Sequence, residues 1–293
     1  MTARLLDGRE LASHLRRELQ LRVQRLTDGD PSSAPRLAIL RSGTDQAAAL
    51  YAASLERAAR SIGIEALSLT EDAEPMLETI DRLNSNPGVA GIVIAQPLAD
   101  AEHGRRVVER IDPAKDVDGA TPTNAGWLAR GQPAFVPATA LAVIAILEAY
   151  DIPVAGRRAV IIGRSAVVGR PVASLLVARD ATVVICHRAT RNLASETRRA
   201  EILVVAAGVP GLVRAEMVNR SSVIVDCGIN AGPGGIVGDV EFSTVAPIVK
   251  AISPVPGGVG PVTPMMVLRQ SVESAERLSS GARSSPPAAP IRR

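Results

Sequence analysis

The chain has 293 residues and a 46% hydrophobic content, which supplies apolar area for one large or two ordinary packed domains. Its formal net charge is only +3 and its arginines are scattered among carboxylates. With two tyrosines, two phenylalanines and one tryptophan to stack on bases, no nucleic-acid partner is expected. Cys186 and Cys227 each sit inside an apolar run, as small buried hydrophobes do in a reducing compartment, and a disulfide framework is not expected. Residues 1–9 are charged and lack an apolar signal core, and the apolar run at 140–147 is too short to span a bilayer. A soluble cytoplasmic protein with no membrane or metal partner is the expectation.

Asp7 can cap a helix over about residues 9–26, where Leu11, Leu15, Leu19, Val23 and Leu26 recur at helical spacing. A polar loop over 28–35 leads to a buried strand at 37–40. A second helix over about 45–62 ends at Gly63, a residue suited to a helix C-cap. Strands at 64–69 and 89–95 flank a helix over about 75–83, and another helix over about 102–111 precedes Lys115-Asp116-Val117-Asp118-Gly119. Strand and helix alternating through short connections predict an α/β domain on a parallel sheet. Ligands of such sheets sit beyond the carboxyl ends of the strands, here residues 41–43, 96–98 and the loop through Asp118.

Thr139 predicts the start of an apolar helix to about Tyr150, and the alternation then repeats with strands at 159–162, 182–186, 202–206, 223–226 and 251–255. Thr263 and Pro264 predict a last helix through about Leu278 that packs back onto the first domain. The expected domains are therefore 1–140 with the returning helix 263–278, and 141–262. Residues 279–293, rich in Ser, Pro and Ala, are expected to be disordered.

Gly163-Arg164-Ser165-Ala166-Val167-Val168-Gly169-Arg170-Pro171 follows a β-branched run and leads into a helix. Free N–H groups and the helix dipole at such a turn favour a phosphate, and the guest this predicts is a dinucleotide. The run departs from G-x-G-x-x-G, with Ser165 at the middle glycine and one residue added before Gly169, and a purely structural turn is the alternative. The next strand ends in His187-Arg188, where an NAD site usually places an acid for the ribose hydroxyls. Arg188, helped by Arg164 or Arg191, suits a 2′-phosphate and favours NADP over NAD, although the same arginines would serve as solvated surface. Pro254-Val255-Pro256-Gly257-Gly258-Val259-Gly260-Pro261 fixes an irregular backbone that a flat ligand can approach closely.

These motifs, with Thr263, Lys115 to Gly119 and the opening Asp7-Gly8, resemble the bifunctional methylenetetrahydrofolate dehydrogenase/methenyltetrahydrofolate cyclohydrolase family over about residues 5–276. The resemblance implies two αβα domains, the second a Rossmann-like NADP-binding domain, with a folate cleft between them, and a homodimer. It implies that Tyr51 stacks beside the folate's aromatic part, that Asp118 hydrogen-bonds the pterin, and that Gln96, Pro256, Gly257, Gly258, Val259 and Pro261 also line the substrate site. The implied cofactor site comprises Gly163, Arg164, Ser165, Val168, Gly169, Pro171, His187, Arg188, Ala207, Gly208, Gly228 and Ile229. Read without the resemblance, Tyr51 is a helix tyrosine over a core edge and Asp118 a turn residue.

The pattern breaks where the family carries a lysine four residues after the tyrosine, which is Leu55 here, and a glutamine that sits against it, which is Ala95. Gln96 is one residue off, and on a strand that is the opposite face. Gln46 and Ala48 stand where the family has proline and serine. Hydrolysis of a methenyl group calls for a positioned acid or base, which leucine and alanine cannot supply, and Glu56 and Arg57 are turned away around the helix. Neither lysine, Lys115 or Lys250, has a sequence reason to take that place. Hydride transfer asks mainly for alignment of donor and acceptor carbons, and some family members without the lysine are dehydrogenases only. The expectation is NADP-dependent oxidation of methylenetetrahydrofolate, with no residue assigned as catalytic and cyclohydrolase activity lost or very weak. The alternatives are a non-catalytic folate- or NADP-binding paralogue and a member recruited to another substrate.

Overall fold

The computed structural model describes residues 3–28, 30, 33–41, 45–70, 75–95, 98, 100–232 and 234–280. Its first elements are β1 (Arg4–Leu5), α1 (Gly8–Thr27), β2 (Arg36–Arg41), α2 (Gln46–Ile62), β3 (Glu65–Thr70), α3 (Met76–Ser85), β4 (Val89–Ala95), α4 (Ala101–Arg110) and α5 (Pro122–Ala129). Then follow α6 (Ala138–Ala149), β5 (Arg158–Ile162), α7 (Gly169–Val177), β6 (Thr182–Cys186), α8 (Leu193–Thr197), β7 (Ile202–Val205) and β8 (Val223–Asp226). The last are β9 (Asn230–Gly232), β10 (Gly235–Val237), α9 (Phe242–Val245), β11 (Ala251–Ile252) and α10 (Val259–Ser279). Two compact units contain the described residues 13–136 with 264–280, and 3–12 with 137–263.

In the unit of residues 13–136 the strands run in the order β3-β2-β4, all parallel. Ala38 and Leu40 of β2 with Ile92 and Ile94 of β4 face α3 and α4, packing on Met76, Ile80, Leu83, Val107 and Val108. The alternate residues point to the other face, where α2 packs across all three strands. Asp45 caps α2 by accepting from the Ala48 N–H at 2.7 Å, and Gly63 closes it in the left-handed region at φ 86. Within this unit Gln270 of α10 accepts from the Val136 N–H at 2.9 Å and donates to the Val117 carbonyl at 2.7 Å.

In the other unit six parallel strands take the order β1-β11-β8-β7-β5-β6. Numbered from β5, the five strands after the opening one follow the doubly wound order 2-1-3-4-5, whose switch point lies between β5 and β7. Val160, Ile162, Leu203, Val205, Ile224 and Ile252 supply one buried face, and α7 covers β5 and β6. β9 and β10 form a separate antiparallel hairpin.

Several elements differ from expectation. The last helix starts at Val259 rather than Thr263. Its first turn has no intrahelical acceptor for its N–H groups, so Pro261 costs no hydrogen bond there. The apolar helix starts at Ala138, after Pro137, and Thr139 lies inside it rather than capping it. The strand expected to reach residue 255 ends at Ile252, because Pro254 and Pro256 have no N–H to donate to a ladder. The strand expected to reach residue 206 ends at Val205. Helix α5, capped by Thr121 with Pro122 as its first residue, was not expected, nor were β1 and the hairpin. Of the tail, Ser279 closes α10, and residues 281–293 lie outside the described residues.

Candidate functional site

Because the six strands are parallel, their carboxyl ends meet at one edge of the sheet, and the expected nucleotide-site residues collect there. Gly163 follows β5, His187 and Arg188 follow β6, Ala207 and Gly208 follow β7, Gly228 and Ile229 follow β8, and Pro256 to Pro261 follow β11. Gly163 sits at φ 121, and a Cβ there would lie 2.1 Å from the Ala206 carbonyl oxygen, so only glycine fits this crossing at the switch point. A Cβ on Gly169 would lie 2.1 Å from the Gly163 carbonyl oxygen, which lets α7 begin directly against the turn.

The turn itself is held by Ser165, whose Oγ accepts from the Val168 N–H at 3.1 Å and whose carbonyl accepts from the Arg170 N–H at 3.1 Å. The N–H groups of exposed Ser165, Ala166 and Val167 donate to no acceptor among the described residues. Such a turn before a helix N-terminus is a ready anion site. Pro171 lies buried in the first turn of α7. Exposed Arg164, Arg188 and Arg191 form no ion pair among the described residues. His187 is half-buried, its N–H bonded to Thr190 Oγ1 at 2.8 Å and its Nδ1 accepting from the Ala189 N–H. Ile229 is 71% exposed at this edge, an apolar surface of the kind a cofactor ring covers.

The loops after β7 and β8 are braced from below by two buried aspartates that the sequence reading passed over. Asp239 accepts from the N–H groups of Ala207 at 2.6 Å, Gly208 at 2.8 Å and Val209 at 2.9 Å, and from Asn230 Nδ2 at 2.8 Å. The N–H groups of Ala207 and Gly208 are therefore committed to the protein. Asp226 accepts from the N–H groups of Gly228, Asp239 and Val240 at 2.8, 3.1 and 3.0 Å. Burial pushes the Asp226 carboxyl up to about 6, against the pull of these bonds and with a further push from Asp239. Gly228 and Gly238 make room, since a Cβ on either would overlap Asp239 or Asp226.

The Pro-Gly run is fixed by the start of the chain. Gly8 donates its N–H to the Gly257 carbonyl at 2.8 Å, and a Cβ on Gly8 would lie 1.8 Å from the Gly258 carbonyl oxygen. Val255-Pro256 is a cis peptide, and Gly257 stands at φ 121 with the Arg9 guanidinium beneath it. Pro256 is exposed, Gly257, Gly258 and Val259 are buried, and Pro261 is half-buried in the first turn of α10. Val259 and Pro261, expected in irregular backbone, are thus helical.

In the unit of residues 13–136, Tyr51 on α2 and Asp118 come together. Burial raises the Tyr51 hydroxyl's pKa, and the charge of Asp118 raises it further. Asp118 is set by its neighbours. Asp116 accepts from the N–H groups of Ala120 and Thr121 and from Asn124 Nδ2, and Gly119 turns at φ 59 where a Cβ would strike Phe135 and Val136. Burial raises the Asp116 carboxyl, opposed by these hydrogen bonds. Lys115 is buried with its Nζ donating to the Leu83 carbonyl at 2.8 Å and the Asn86 carbonyl at 2.6 Å. Leu55 and Ala95 are each 0% exposed. Glu56 accepts from Ser68 and Arg60, toward β3, and Arg57 is exposed. Gln96 lies outside the described residues.

Two family models match the chain, the tetrahydrofolate dehydrogenase/cyclohydrolase catalytic domain over residues 6–118 and the NAD(P)-binding domain of the same family over residues 137–279. A bifunctional FolD protein of Parafrankia sp. is 44% identical over 274 residues, covering 93% of this chain and 99% of that one. Among solved structures, the bifunctional enzyme FolD of Campylobacter jejuni superposes with a TM-score of 0.88 at 40% identity, covering 93% of this chain and 98% of that one. The Trypanosoma brucei methylenetetrahydrofolate dehydrogenase-cyclohydrolase, solved with NADP and an inhibitor, gives a TM-score of 0.89 at 33% identity, covering 94% and 98%. The two-domain α/β fold with a Rossmann-like nucleotide-binding sheet and the two sets of residues gathered on it have one explanation: the chain belongs to the tetrahydrofolate dehydrogenase/cyclohydrolase family.

Proposed function

We propose that the protein oxidises methylenetetrahydrofolate to methenyltetrahydrofolate with NADP and has lost, or nearly lost, the cyclohydrolase step. The observation that carries this reading is the fate of the lysines. Leu55 and Ala95 are sealed in the core, the Lys115 amine is bound to two backbone carbonyls, and exposed Lys250 precedes β11 at the amino end of its sheet. No lysine amine is left to move a proton for ring-opening hydrolysis.

Dehydrogenation makes a different demand. NADP, when bound, accepts the hydride that leaves the methylene carbon. The electron pair that forms the new carbon–nitrogen double bond comes from the folate's own nitrogen, so no protein base is required. Asp118 and Tyr51 orient the folate as hydrogen-bond partner and stacking surface. The Gly163 to Gly169 turn holds the diphosphate through the N–H groups of Ser165, Ala166 and Val167, and Arg188 with Arg164 or Arg191 takes the 2′-phosphate. We further infer from the family resemblance a cytoplasmic homodimer.

Purified protein mixed with methylenetetrahydrofolate and NADP is expected to produce reduced cofactor, and NAD is expected to be the poorer acceptor. Binding of both ligands without cofactor reduction would overturn the reading in favour of a non-catalytic paralogue. Binding of NADP alone would instead point to another substrate.

A further inference from the structure

We propose that Asp239 is a positioning residue for the cofactor, acting through the loop after β7. The inference rests on the nucleotide-binding reading above and adds to it a residue that is not itself expected to touch ligand. Three consecutive backbone N–H groups, of Ala207, Gly208 and Val209, converge on one carboxylate, with Gly208 in the left-handed region at φ 66. Consecutive N–H groups arranged this way form a concavity that binds anions. Here the chain fills it with its own anion, and Asp239 is 0% exposed.

The consequence is a division of labour at the carboxyl edge of the sheet. In the strand order of this unit the ligand crevice opens between β5 and β7, so the loop after β7 is the wall facing the Gly163 turn. With its own N–H groups committed, that wall cannot compete for a cofactor phosphate, which is left to the exposed N–H groups of the Gly163 turn. Asp239 also holds Asn230, and through Asp226 its own N–H is tied to the loop carrying Gly228 and Ile229. One buried carboxylate thereby fixes the surfaces after both β7 and β8.

The test is Asp239→Asn, which keeps the shape but turns an amide N–H₂ toward N–H donors on one side. NADP affinity, read by fluorescence titration, is expected to fall about tenfold or more, and KM for NADP to rise in parallel, while KM for the folate changes less than about threefold. Asn230→Ala removes one of the four donors and leaves the three backbone bonds, and about a threefold loss of NADP affinity in a fully folded protein is expected. That variant decides the matter if Asp239→Asn does not fold. A folded Asp239→Asn or Asn230→Ala with wild-type NADP affinity would overturn the inference, as would a parallel rise in both KM values. Failure of the wild-type protein to bind NADP would overturn the nucleotide-binding reading itself, and the inference with it.

Discussion

Burial and the charge of Asp118 both raise the Tyr51 hydroxyl's pKa, so the phenol stays protonated across the physiological range. A neutral phenol can stack on a pterin or benzoyl ring without a charge to desolvate, and in the proposed function Asp118 is the acceptor for ring N–H groups. Asp118→Asn should therefore raise KM for the folate about tenfold and leave KM for NADP within about twofold, measured by initial rates with each substrate varied in turn. Asp226 gives a second prediction, in the opposite sense to an ordinary carboxylate. Its folded pKa of about 6 stands above the usual 3.8, so between these values the folded protein keeps a proton that the unfolded chain has released. Its contribution to stability is thus present at about pH 4 and is lost as pH rises through 6, on the order of 2–3 kcal/mol in all. Denaturant unfolding across pH 4 to 7.5 should show that fall in the wild type and a flatter curve for Asp226→Asn.

The turn between β5 and α7 rests on two glycines that accept no other side chain. Gly163→Ala would force a Cβ against the Ala206 carbonyl at a φ that L-residues avoid, and a loss of ~3 kcal/mol in denaturant unfolding is expected, with loss of NADP binding. This turn was legible in sequence because glycine spacing after a β-branched run is a local signal. Most strands and helices were legible for the same reason, through hydrophobic period and caps such as Asp45 and Gly63. The supports were not. Asp239 is thirteen or more residues from the strands whose loops it holds, and nothing local distinguishes it from a turn aspartate. Gln270 reaches Val117 and Val136 from more than a hundred residues away. The burial of Leu55 and Ala95 was likewise invisible, since apolar residues at those positions fit a ligand wall as well as a core. Helix α5 is a different case, because Thr121-Pro122 is a readable helix start that the short element after it obscured.

At the scale of the whole chain, two units carry the two groups of residues on which the proposed function rests, one presenting Tyr51 and Asp118 and the other the parallel-sheet edge with the Gly163 turn. The family pattern extends over nearly the full chain, and in the function proposed above the lysine and glutamine replaced by Leu55 and Ala95 are the residues whose loss removes the hydrolysis step. Leu55→Lys with Ala95→Gln restores the missing pair but places a charge in a fully buried position. The double variant is expected to lose about 3 kcal/mol or more of stability unless the lysine finds a partner. If it remains folded, a gain of hydrolysis over the wild type is the expected result, read as formyl product released. The central claim is tested most directly by supplying the wild-type protein with methylenetetrahydrofolate and NADP and quantifying methenyl and formyl products against reduced cofactor. The account predicts that methenyltetrahydrofolate accumulates with cofactor reduction and that formyl product forms no faster than by spontaneous hydrolysis. Enzyme-dependent formyl release that keeps pace with cofactor reduction would contradict it.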